Sequence, residues 1–517
     1  MSTCKKGTEE MRDRLRWLLG GGLLFRGLIA YFLPPGFDEA YYFLYTQHLD
    51  WSYFDHPLAV ALTTGAGVWL TGVVSPLTIR LGALGLFTGS LWLLYATGRW
   101  LFGERAGWLS CVIASLCPLF FLTFGTLTAP DNALIFFWSA TLYLCAQEFF
   151  PHSPYRPTAR LALIGLMVGL VCLSKYHGFL LGLALVCFCL NSSRHRCALR
   201  SGWTVLSFLL FGLCLLPVFY WNSRHGWISF QFQLSDRFAA ASVGYSLTNL
   251  LGVLLAEVGF LFPTLGLPLW WISVKALFTL PRQADQRSKV QFVLWSGLPV
   301  AAGFTLLGGW TQIYPAWPAP GLWTLTLLLG QVAAHWKLPE VRRWLKGTGL
   351  AVGTLLLFVL THITLGTLQK SGRYAITGGL ISPQQDPSTA LIDTQQLRRQ
   401  FAQSAEFERA IATADFIVTD DLWLSGYIAM ALPPSVYRVV TSFTPDPRGH
   451  AFWFNPSDWL GKDALLISLT DSQQAIAPYF QSVTPLLQLT TRRGNVTTQT
   501  FFIYRADKLI RPYRYPY

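Results

Sequence analysis

Residues 36–57 read GFDEAYYFLYTQHLDWSYFDHP and follow the first long apolar segment of the chain. This stretch holds four carboxylates (Asp38, Glu39, Asp50 and Asp55) together with two histidines. Only 13% of the residues in the chain are charged, and acidic side chains beside a membrane span are costly unless something uses them. The stretch therefore predicts a helical membrane protein whose first span leads into the catalytic loop of an enzyme.

The composition of the whole chain agrees with that class. Of 517 residues, 52% are hydrophobic, and the mean hydropathy is +0.39. Repeated apolar windows of about 18 to 22 residues are long enough to cross a hydrocarbon core of about 30 Å as helices. The prediction is an all-α polytopic membrane protein with about 11 to 13 transmembrane helices, a count that follows from the same length rule.

The distribution of basic residues predicts the orientation of the chain. The formal net charge is +13, but the basic residues fall mainly in alternate short loops and form no single patch. Membrane orientation therefore explains the basic residues better than a nucleic-acid partner does, and the pattern predicts a cytoplasmic N-terminus. The short outer loops contain only a few basic residues, namely Arg80, Lys175, Arg224 and Arg237. The loops rich in acidic, imidazole and aromatic residues all open to the same outer side.

Three regions are predicted along the chain. Residues 1–368 form the transmembrane catalytic domain. Residues 369–393 are rich in Gly, Pro, Ser and Gln and indicate a linker. Residues 394–517 alternate helical and β-rich segments, which predicts a small α/β domain on the periplasmic side. The predicted strands of this domain are 416–419, 437–440, 465–469 and 498–504.

Two further patterns concern the spans themselves. Residues 247–280 are predicted to be one long span, and residues 58–74 a short apolar segment that is not counted as a span. Glycines four residues apart, at 165 and 169 and again at 178 and 182, favour close packing between helices.

The adjacent acids Asp38 and Glu39 are the first catalytic candidates. In a helix, neighbouring side chains point about 100° apart, so both cannot address one atom. One is expected to act as a general base while the other supports it, because a carboxylate near the low-dielectric interface tends towards a raised pKa. The alternative is that both acids cap the helix that starts near Ala40.

Asp131 and Lys175 are the second pair of candidates. Asp131 follows Pro130 at the outer end of a span, where it is a possible catalytic acid or only an N-cap. Lys175 is a solitary cation between two apolar segments, and a point charge at the outer boundary suits a phosphate or phosphodiester group. Its alternative role is simple snorkelling to the interface.

Further outer-loop residues are candidates for the substrate pocket. Histidines there match no metal-site spacing, and tryptophans and tyrosines can stack on a sugar or a polyprenyl chain. The pair of carboxylates leaves open a divalent cation as a cofactor. The pocket candidates are Tyr41, Tyr42, Asp55, His56, His225, Tyr314 and Trp317.

Several of these segments carry a family resemblance. GFDEAYY followed by QHLDWSYFDHP is similar to the signature of the polyprenyl-phosphate-dependent membrane glycosyltransferases of the GT-C type. These form the family 39-like group, which includes bacterial relatives of the protein O-mannosyltransferases and the lipid A aminoarabinose transferase. Further matching segments are TAPDN at 128–132, LSKYHG at 173–178, WNSRHGWISFQFQ at 221–233, YPAWPAP at 314–320 and VTDDLWLSGYIA at 418–429.

The resemblance implies an activity and roles for individual residues. Asp38 would be the catalytic base with Glu39 beside it, Asp131 a second acid of the site, and Lys175 the contact to the donor phosphate. The implied reaction is an inverting displacement at the anomeric carbon, with polyprenyl phosphate leaving. The acceptor would be lipid A, an envelope glycan or a protein hydroxyl at the bacterial inner membrane. Where the aminoarabinose transferases are expected to have an arginine, this chain has Tyr41 or Tyr42, which argues against aminoarabinose as the sugar.

Two other functions compete with this one. A transporter or flippase of polyprenyl-linked sugars would need polar residues deep in the spans, and Arg26 and Glu257 are the candidates for such a pair. A non-catalytic envelope-binding protein would leave Asp38, Asp131 and Lys175 without a use.

Overall fold

The computed structural model describes residues 2–235, 244–433 and 435–517, and side chains from residue 10 onward. Arg237, counted above among the outer-loop basic residues, lies outside these ranges. Within them the chain forms twenty α-helices and five β-strands. The helices are α1 (Ser2–Phe32), α2 (Phe37–Gln47), α3 (Ala59–Thr71), α4 (Leu81–Phe102), α5 (Glu104–Leu116), α6 (Pro130–Phe149), α7 (Arg160–Ser174), α8 (Phe179–Asn191), α9 (Gly202–Arg224), α10 (Ile228–Leu234), α11 (Leu247–Leu261), α12 (Pro263–Phe278), α13 (Ala284–Leu307), α14 (Ala319–Ala333), α15 (Leu338–Leu365), α16 (Thr394–Gln403), α17 (Ala405–Thr413), α18 (Leu422–Ala431), α19 (His450–Trp453) and α20 (Gln473–Ile476). The strands are β1 (Phe416–Thr419), β2 (Val439–Ser442), β3 (Ala464–Ser468), β4 (Phe480–Arg493) and β5 (Val496–Leu509).

Long apolar helices dominate the first two thirds of the chain. In the described ranges, five helices are long and apolar enough to cross a membrane, and the bent pair α11 and α12 makes a sixth if it counts as one span. The five are Glu10–Phe32, Thr78–Phe102, Gly202–Arg224, Ala284–Leu307 and Leu338–Leu365. Other segments predicted as spans form shorter apolar helices, such as α7, α8 and α14. The Gly202–Arg224 helix buries only 6% of its most apolar window within the protein, which is the exposure expected of a lipid-facing helix.

Residues 247–280 do not form the single span that the sequence predicts. The segment breaks between α11 and α12, whose axes are bent by 120°. Phe262 at the break has a φ of 75°, and Pro263 begins the second helix. Because proline lacks an N–H and restricts the residue before it to non-helical conformations, it begins a new helix here and interrupts the long apolar run.

The contacts of the chain divide it into two compact units, and each is described on its own. The helical unit comprises residues 2–28, Trp51–Thr63 and Gly82–Leu356. The sheet unit comprises Ile29–Asp50, Thr64–Leu81 and Leu357–Tyr517. Residues 29–50 and 64–81 thus group by contact with the C-terminal region and not with the apolar helices around them in sequence.

Two buried tryptophans in the core of the helical unit form hydrogen bonds between α6 and α14, one in each direction. Trp138 Nε1 donates to Thr324 Oγ1 at 2.8 Å, and Trp323 Nε1 donates to Ser139 Oγ at 3.0 Å. Both indoles are fully buried, so each N–H requires an internal acceptor. The two bonds fix the register of the two helices.

Close packing between α7 and α9 depends on small residues. A Cβ added at Gly165 would lie 2.2 Å from the Ser207 carbonyl oxygen, and one added at Gly169 would lie 2.6 Å from Cys214 Cβ. The glycine pair at 165 and 169 therefore permits close helix packing, as the spacing predicts.

The sheet unit contains a five-stranded mixed sheet in the order β2-β1-β3-β5-β4. β1 pairs in parallel with β2 and β3, whereas β5 runs antiparallel to both β3 and β4. The sheet and the helices of this region confirm the predicted α/β character of the C-terminal region. Residues 369–393, predicted as a linker, are largely irregular but are held by hydrogen bonds: Gln369 Nε2 donates to the buried Asp386 at 2.9 Å, and Arg493 donates to Ser388.

Candidate active site

The predicted site residues Asp38 and Glu39 lie in the first turn of α2, in the sheet unit. Gly36 precedes the helix and has no side chain to cap it. The Glu39 carboxylate reaches back instead, and its Oε2 accepts the Gly36 N–H at 2.8 Å. Glu39 therefore performs part of the capping role considered for the acidic pair.

Glu39 is also one half of a buried ion pair with Arg80. Arg80 Nε donates to Glu39 Oε1 at 2.7 Å and Nη2 donates to Oε2 at 2.6 Å, a bidentate geometry that favours arginine over lysine. The side chains are 0% and 3% exposed. The pairing uses both oxygens of Glu39, so this carboxylate is bound within the protein.

The other donors of Arg80 bind the end of α1. Nη1 donates to the carbonyl oxygens of Ala30 and Leu33 at 2.9 and 2.7 Å, and Nη2 donates to that of Pro34 at 3.0 Å. The last carbonyls of a helix have no partner within it, and Arg80 supplies donors there. One guanidinium thus joins the end of α1 to the start of α2. The sequence places Arg80 among the outer-loop cations and predicts no role for it, although an isolated arginine between apolar segments is a signal of a buried partner.

Asp38 is exposed, whereas Glu39 beside it is buried. This difference is what the angle between neighbouring helical side chains predicts. The exposed carboxylate is accessible to a substrate. The role of Asp38 as the base stays a prediction.

Tyr41 and Tyr42, predicted pocket residues, lie in the interior of the sheet unit and are 0% and 5% exposed. The Tyr41 ring packs edge-on against Trp423 at 5.7 Å and lies 6.0 Å from Trp453. Its hydroxyl accepts the Gly449 N–H at 3.0 Å. In this position Tyr41 holds α2 against the C-terminal part of the unit.

Two histidines lie beside this aromatic cluster. The His48 ring stacks on Trp453 at 4.9 Å with an interplanar angle of 5°. His450 is buried, and its Nε2 is 2.8 Å from Ser425 Oγ. Burial lowers the pKa of His450 to about 3, with a smaller contribution from His48 in the same direction. Both imidazoles are therefore neutral near pH 7, because burial also lowers the pKa of His48.

Asp131 and Lys175 form the second buried ion pair, in the helical unit. Lys175 Nζ lies 2.9 Å from both Asp131 oxygens, and the side chains are 9% and 6% exposed. Asp131 does not cap α6: the Asn132 side chain accepts the Ala129 N–H at 2.6 Å and donates to carbonyls before the helix. The capping alternative for Asp131 is therefore wrong, and its carboxylate binds Lys175. Lys175 is likewise engaged in an ion pair and does not simply snorkel.

The structure brings three predicted residues together at one cleft of the helical unit, which we name the lysine cleft. Its volume is about 280 Å³. His56, Lys175 and Trp317 line it, and Phe304 closes one wall with Trp317, whose ring lies 5.8 Å away. The remaining lining residues are Tyr176, His177, Phe179, Leu180, Gln233 and Leu234. The cleft thus combines one ammonium group, two imidazoles and aromatic walls.

Asp55 and His56 belong to a tight loop that α10 holds in place. Tyr53 N donates to the His56 carbonyl at 3.1 Å. Gln233 Nε2 donates to the Asp55 carbonyl at 2.7 Å, and Ser229 Oγ donates to the Tyr53 carbonyl at 3.1 Å. The Asp55 side chain is 1% exposed. These hydrogen bonds hold the irregular segment against α10, with His56 at the cleft.

His225 and Tyr314 are not among the residues that line the lysine cleft. The His225 ring stacks on Trp221 at 4.0 Å, and its Nδ1 is 2.7 Å from the Trp221 carbonyl. Tyr314 is 59% exposed and packs beside Trp317 at 5.8 Å. Both remain predicted pocket residues.

Two further observations concern alternatives left open by the sequence. Among the described residues, no group of three His, Cys, Asp or Glu side chains is arranged to hold a metal ion. Arg26 and Glu257, the pair that a transporter would use, do not bond to each other: Arg26 donates to Thr88 and Glu257 accepts from Thr305. In the part of the chain that the structure describes, the Arg26–Glu257 pair that would favour a transporter is therefore not formed.

Comparison with known proteins supports a glycosyltransferase. Residues 55–221 match the family model described as dolichyl-phosphate-mannose-protein mannosyltransferase. Over 486 residues the chain is 25% identical to the lipid A galacturonosyltransferase RgtD of Rhizobium johnstonii, a match that covers 91% of this chain and 92% of that protein.

The fold is that of solved glycosyltransferases. The crystal structure of ArnT from Cupriavidus metallidurans bound to undecaprenyl phosphate superposes with a TM-score of 0.62 at 16% identity, covering 94% of this chain and 97% of that one. Its apo structure gives 0.59 at 15% identity with the same coverage. The chain therefore shares its fold with these structures, and its sequence is similar to a family model named for a mannosyltransferase and to a lipid A galacturonosyltransferase, so the comparisons support a membrane glycosyltransferase.

Proposed function

We propose that this enzyme transfers a sugar from a polyprenyl-phosphate donor to lipid A or another envelope acceptor at the outer face of a bacterial inner membrane. The observation that carries the proposal is the lysine cleft, where His56, Lys175 and Trp317 line one space in the helical unit. A cation, imidazoles and an aromatic wall are groups that suit a sugar phosphate.

Lys175 is the proposed contact to the donor phosphate. An ammonium group has three N–H donors and no acceptor. Two of them are directed at the oxygens of Asp131, which leaves one for a phosphate oxygen in the cleft. Asp131 thus orients the ammonium and balances its charge while the cleft is empty.

An apolar pocket next to the lysine cleft suits the isoprenoid chain of the donor. This pocket of about 330 Å³ lies between α7, α8 and α9, and Phe179 lines both this pocket and the lysine cleft. Gly182 and Leu183 continue the lining along α8. A phosphate at Lys175 would therefore have an apolar path for its chain in contact with the same helix.

Asp38 is the proposed base. Its carboxylate would take the proton of the acceptor hydroxyl as that oxygen forms a bond to the anomeric carbon of the sugar. The bond between the anomeric carbon and the phosphate oxygen breaks, and polyprenyl phosphate leaves with the electron pair. Configuration at the anomeric carbon inverts because the attack is opposite the leaving group. Glu39 is a poor candidate for the base because Arg80 binds both of its carboxylate oxygens inside the protein.

The acceptor and sugar are proposed from the relative that matches most of the chain. RgtD is named as a lipid A galacturonosyltransferase, so lipid A is the first acceptor and galacturonic acid the first sugar to test. A protein or glycan hydroxyl remains a second acceptor class, since the family model is named for protein mannosylation. The proposed orientation has a cytoplasmic N-terminus and the C-terminal region in the periplasm.

The test is transfer of labelled sugar in membranes matched for protein level. A panel of polyprenyl-phosphate sugars is offered with total envelope acceptors to the wild type, to Asp38→Asn and to Glu340→Gln, a change on an exposed residue of α15. Transfer that is lost in Asp38→Asn and kept in Glu340→Gln supports the proposal and identifies the donor. Wild-type transfer that is equally strong in Asp38→Asn refutes Asp38 as the base.

A further inference from the structure

A second cleft lies in the helical unit between α11 and the loop at residues 308–315, and we name it the glutamate cleft. Its volume is about 480 Å³. Polar groups line it from both sides, with Asn249 on α11 and Gln312 on the loop. Glu257, Gly252 and Trp310 also line it.

Glu257 is the distinctive residue of this cleft. It is 1% exposed, and its Oε1 accepts a hydrogen bond from Thr305 Oγ1 at 2.7 Å. The indole N–H of Trp270 on α12 also addresses this carboxylate, at less favourable geometry than the Thr305 hydroxyl. A carboxylate has about four lone-pair sites, so Glu257 keeps acceptor capacity for a hydroxyl or amine donor of a ligand in the cleft.

The walls of the glutamate cleft are fixed and leave space for such a ligand. Ser246 N donates to the Gly309 carbonyl at 2.8 Å, which ties the start of α11 to the loop. On the cleft face of α11, Gly252 has no side chain, and a Cβ added there would meet nothing within 4 Å. Trp310 adds an aromatic ring that packs edge-on against Tyr245 at 4.5 Å.

The two clefts share one helix end. Phe304 on α13 lines the lysine cleft, and the next residue, Thr305, bonds Glu257 in the glutamate cleft. The following loop contributes Trp310 to the glutamate cleft and Trp317 to the lysine cleft. A molecule bound beside Glu257 is therefore close to the proposed donor site.

We propose that the glutamate cleft binds the carbohydrate of the acceptor. Its single carboxylate, its two side-chain amides, its hydroxyls and an indole ring match the hydroxyl-rich and weakly apolar surface of a hexopyranose. Glu257 is the only acidic residue among those that line it in the described ranges, which favours a sugar over a metal ion. The inference rests on the proposed function, because it assigns the cleft to the acceptor of that reaction. A donor sugar presents similar hydroxyls, and the test separates the two.

The test pairs two changes in the cleft with two matched controls. Glu257→Gln replaces the carboxylate by an amide at constant volume, and Gly252→Leu fills the cleft without removing any polar group. Gly259→Leu is the control on the same helix, where an added Cβ also meets nothing within 4 Å, and Glu340→Gln is the control for the exchange of carboxylate for amide. Melting temperatures of the purified full-length proteins show that each variant folds.

Two measurements are made on each protein. Isothermal titration with fully deacylated lipid A reports binding without transfer, and steady-state transfer reports KM for lipid A and for the donor separately. We expect both cleft variants to weaken binding and to raise KM for lipid A at least about tenfold, with KM for the donor unchanged. The controls should match the wild type.

Other outcomes separate failure of this inference from failure of the proposed function. Unchanged binding and KM in both cleft variants would overturn the acceptor cleft while the transfer reaction stands. A rise in KM for the donor alone would assign the cleft to the donor sugar and would also overturn it. If the wild type binds deacylated lipid A, loses that binding in both variants, but transfers nothing, then the proposed reaction fails and the cleft stands. Wild-type protein that binds no deacylated lipid A refutes the cleft.

Discussion

Arg80 and Glu39 form a bidentate ion pair inside the protein although they are 41 residues apart in sequence. The remaining donors of Arg80 bind carbonyls at and just after the end of α1, so one guanidinium links the end of α1 to the first turn of α2. Asp38 is carried on the first turn of the second helix. The position of the proposed base thus depends on a guanidinium that touches no substrate.

Replacing Arg80 by Met should destabilise the protein by about 3–5 kcal/mol, because it leaves the Glu39 carboxylate buried and unpaired. The double variant Arg80→Met with Glu39→Leu should be less destabilised than Arg80→Met alone. Thermal unfolding of the purified proteins measures both. A double variant that is as unstable as the sum of the two single ones would contradict a direct pairing.

Asp38→Asn should lower activity more than stability, whereas Glu39→Gln should lower stability more than activity. The change at Asp38, which is exposed, should leave the melting temperature within a degree or two of the wild type and lower kcat by about 10²–10⁴, the range for loss of a general base. The change at Glu39 should lower stability and affect activity less. The two variants are compared by melting temperature and kcat, and equal losses of kcat would argue against Asp38 as the base.

Loss of the Lys175 ammonium should weaken donor binding. Lys175→Met alone also strands the Asp131 carboxylate, so stability should fall by about 3–5 kcal/mol. The variant Lys175→Met with Asp131→Leu should recover stability but not donor affinity, which is read as KM for the polyprenyl-phosphate sugar. Normal donor KM in the double variant would mean that Lys175 serves only the fold.

Gly426→Ala should disrupt the sheet unit. A Cβ at Gly426 in α18 would lie 2.2 Å from the Ala40 carbonyl oxygen in α2, so the two helices must separate. We expect a loss of at least about 2 kcal/mol, the scale of overpacking in a core. Gly347→Ala in α15, where nothing lies within 4 Å of an added Cβ, should be neutral or stabilising. The comparison is made by melting temperature.

The buried His450 should make stability depend on pH. Its pKa is about 3 in the folded protein against an ordinary value of 6.5, so the unfolded chain binds a proton that the folded one does not between these values. The contribution of this neutral histidine is complete above pH 6.5 and is lost as pH falls. From pH 6.5 to 5 the loss is about 2 kcal/mol.

The control for this prediction is His450→Gln, which cannot titrate but keeps a hydrogen-bonding side chain for Ser425. Its stability should vary less between pH 7 and pH 5 than that of the wild type, as followed by thermal unfolding at each pH. Identical pH profiles for the two proteins would refute a role for His450. His48, which stacks on the same tryptophan, is kept unchanged in both.

Local patterns predicted the helices and most of the strands. Apolar segments of about 15 to 25 residues identify helices because length and composition are read within one segment. β4 was not predicted, because residues 480–493 contain Pro485 and many polar side chains and owe their extended form to pairing with β5. The sequence does not predict the break at Phe262, although Pro263 follows it, because apolar residues continue on both sides of the break.

The sequence predicts which residues belong to the site, but not which distant side chains they bond to. Asp131 and Lys175 were recognised separately, and their ion pair links residues 44 positions apart. Arg80 was missed for the same reason, since no local pattern shows which distant side chain a cation meets. Tyr41 and Trp453 illustrate the same limit, because a tyrosine near a proposed active site is equally suited to packing.

The sheet unit is assembled from three separate pieces of the chain, and this sets an order for its biogenesis. The helix that carries Asp38 is synthesised more than 400 residues before the strand β5 that completes the sheet, which ends at Leu509. At about 5–20 residues per second, synthesis of the intervening chain takes on the order of a minute. For most of that time α2 lacks the helix α18 against which it packs. A nascent chain therefore carries its proposed base before the C-terminal part of the sheet unit exists, and we expect activity only after β5 has been made.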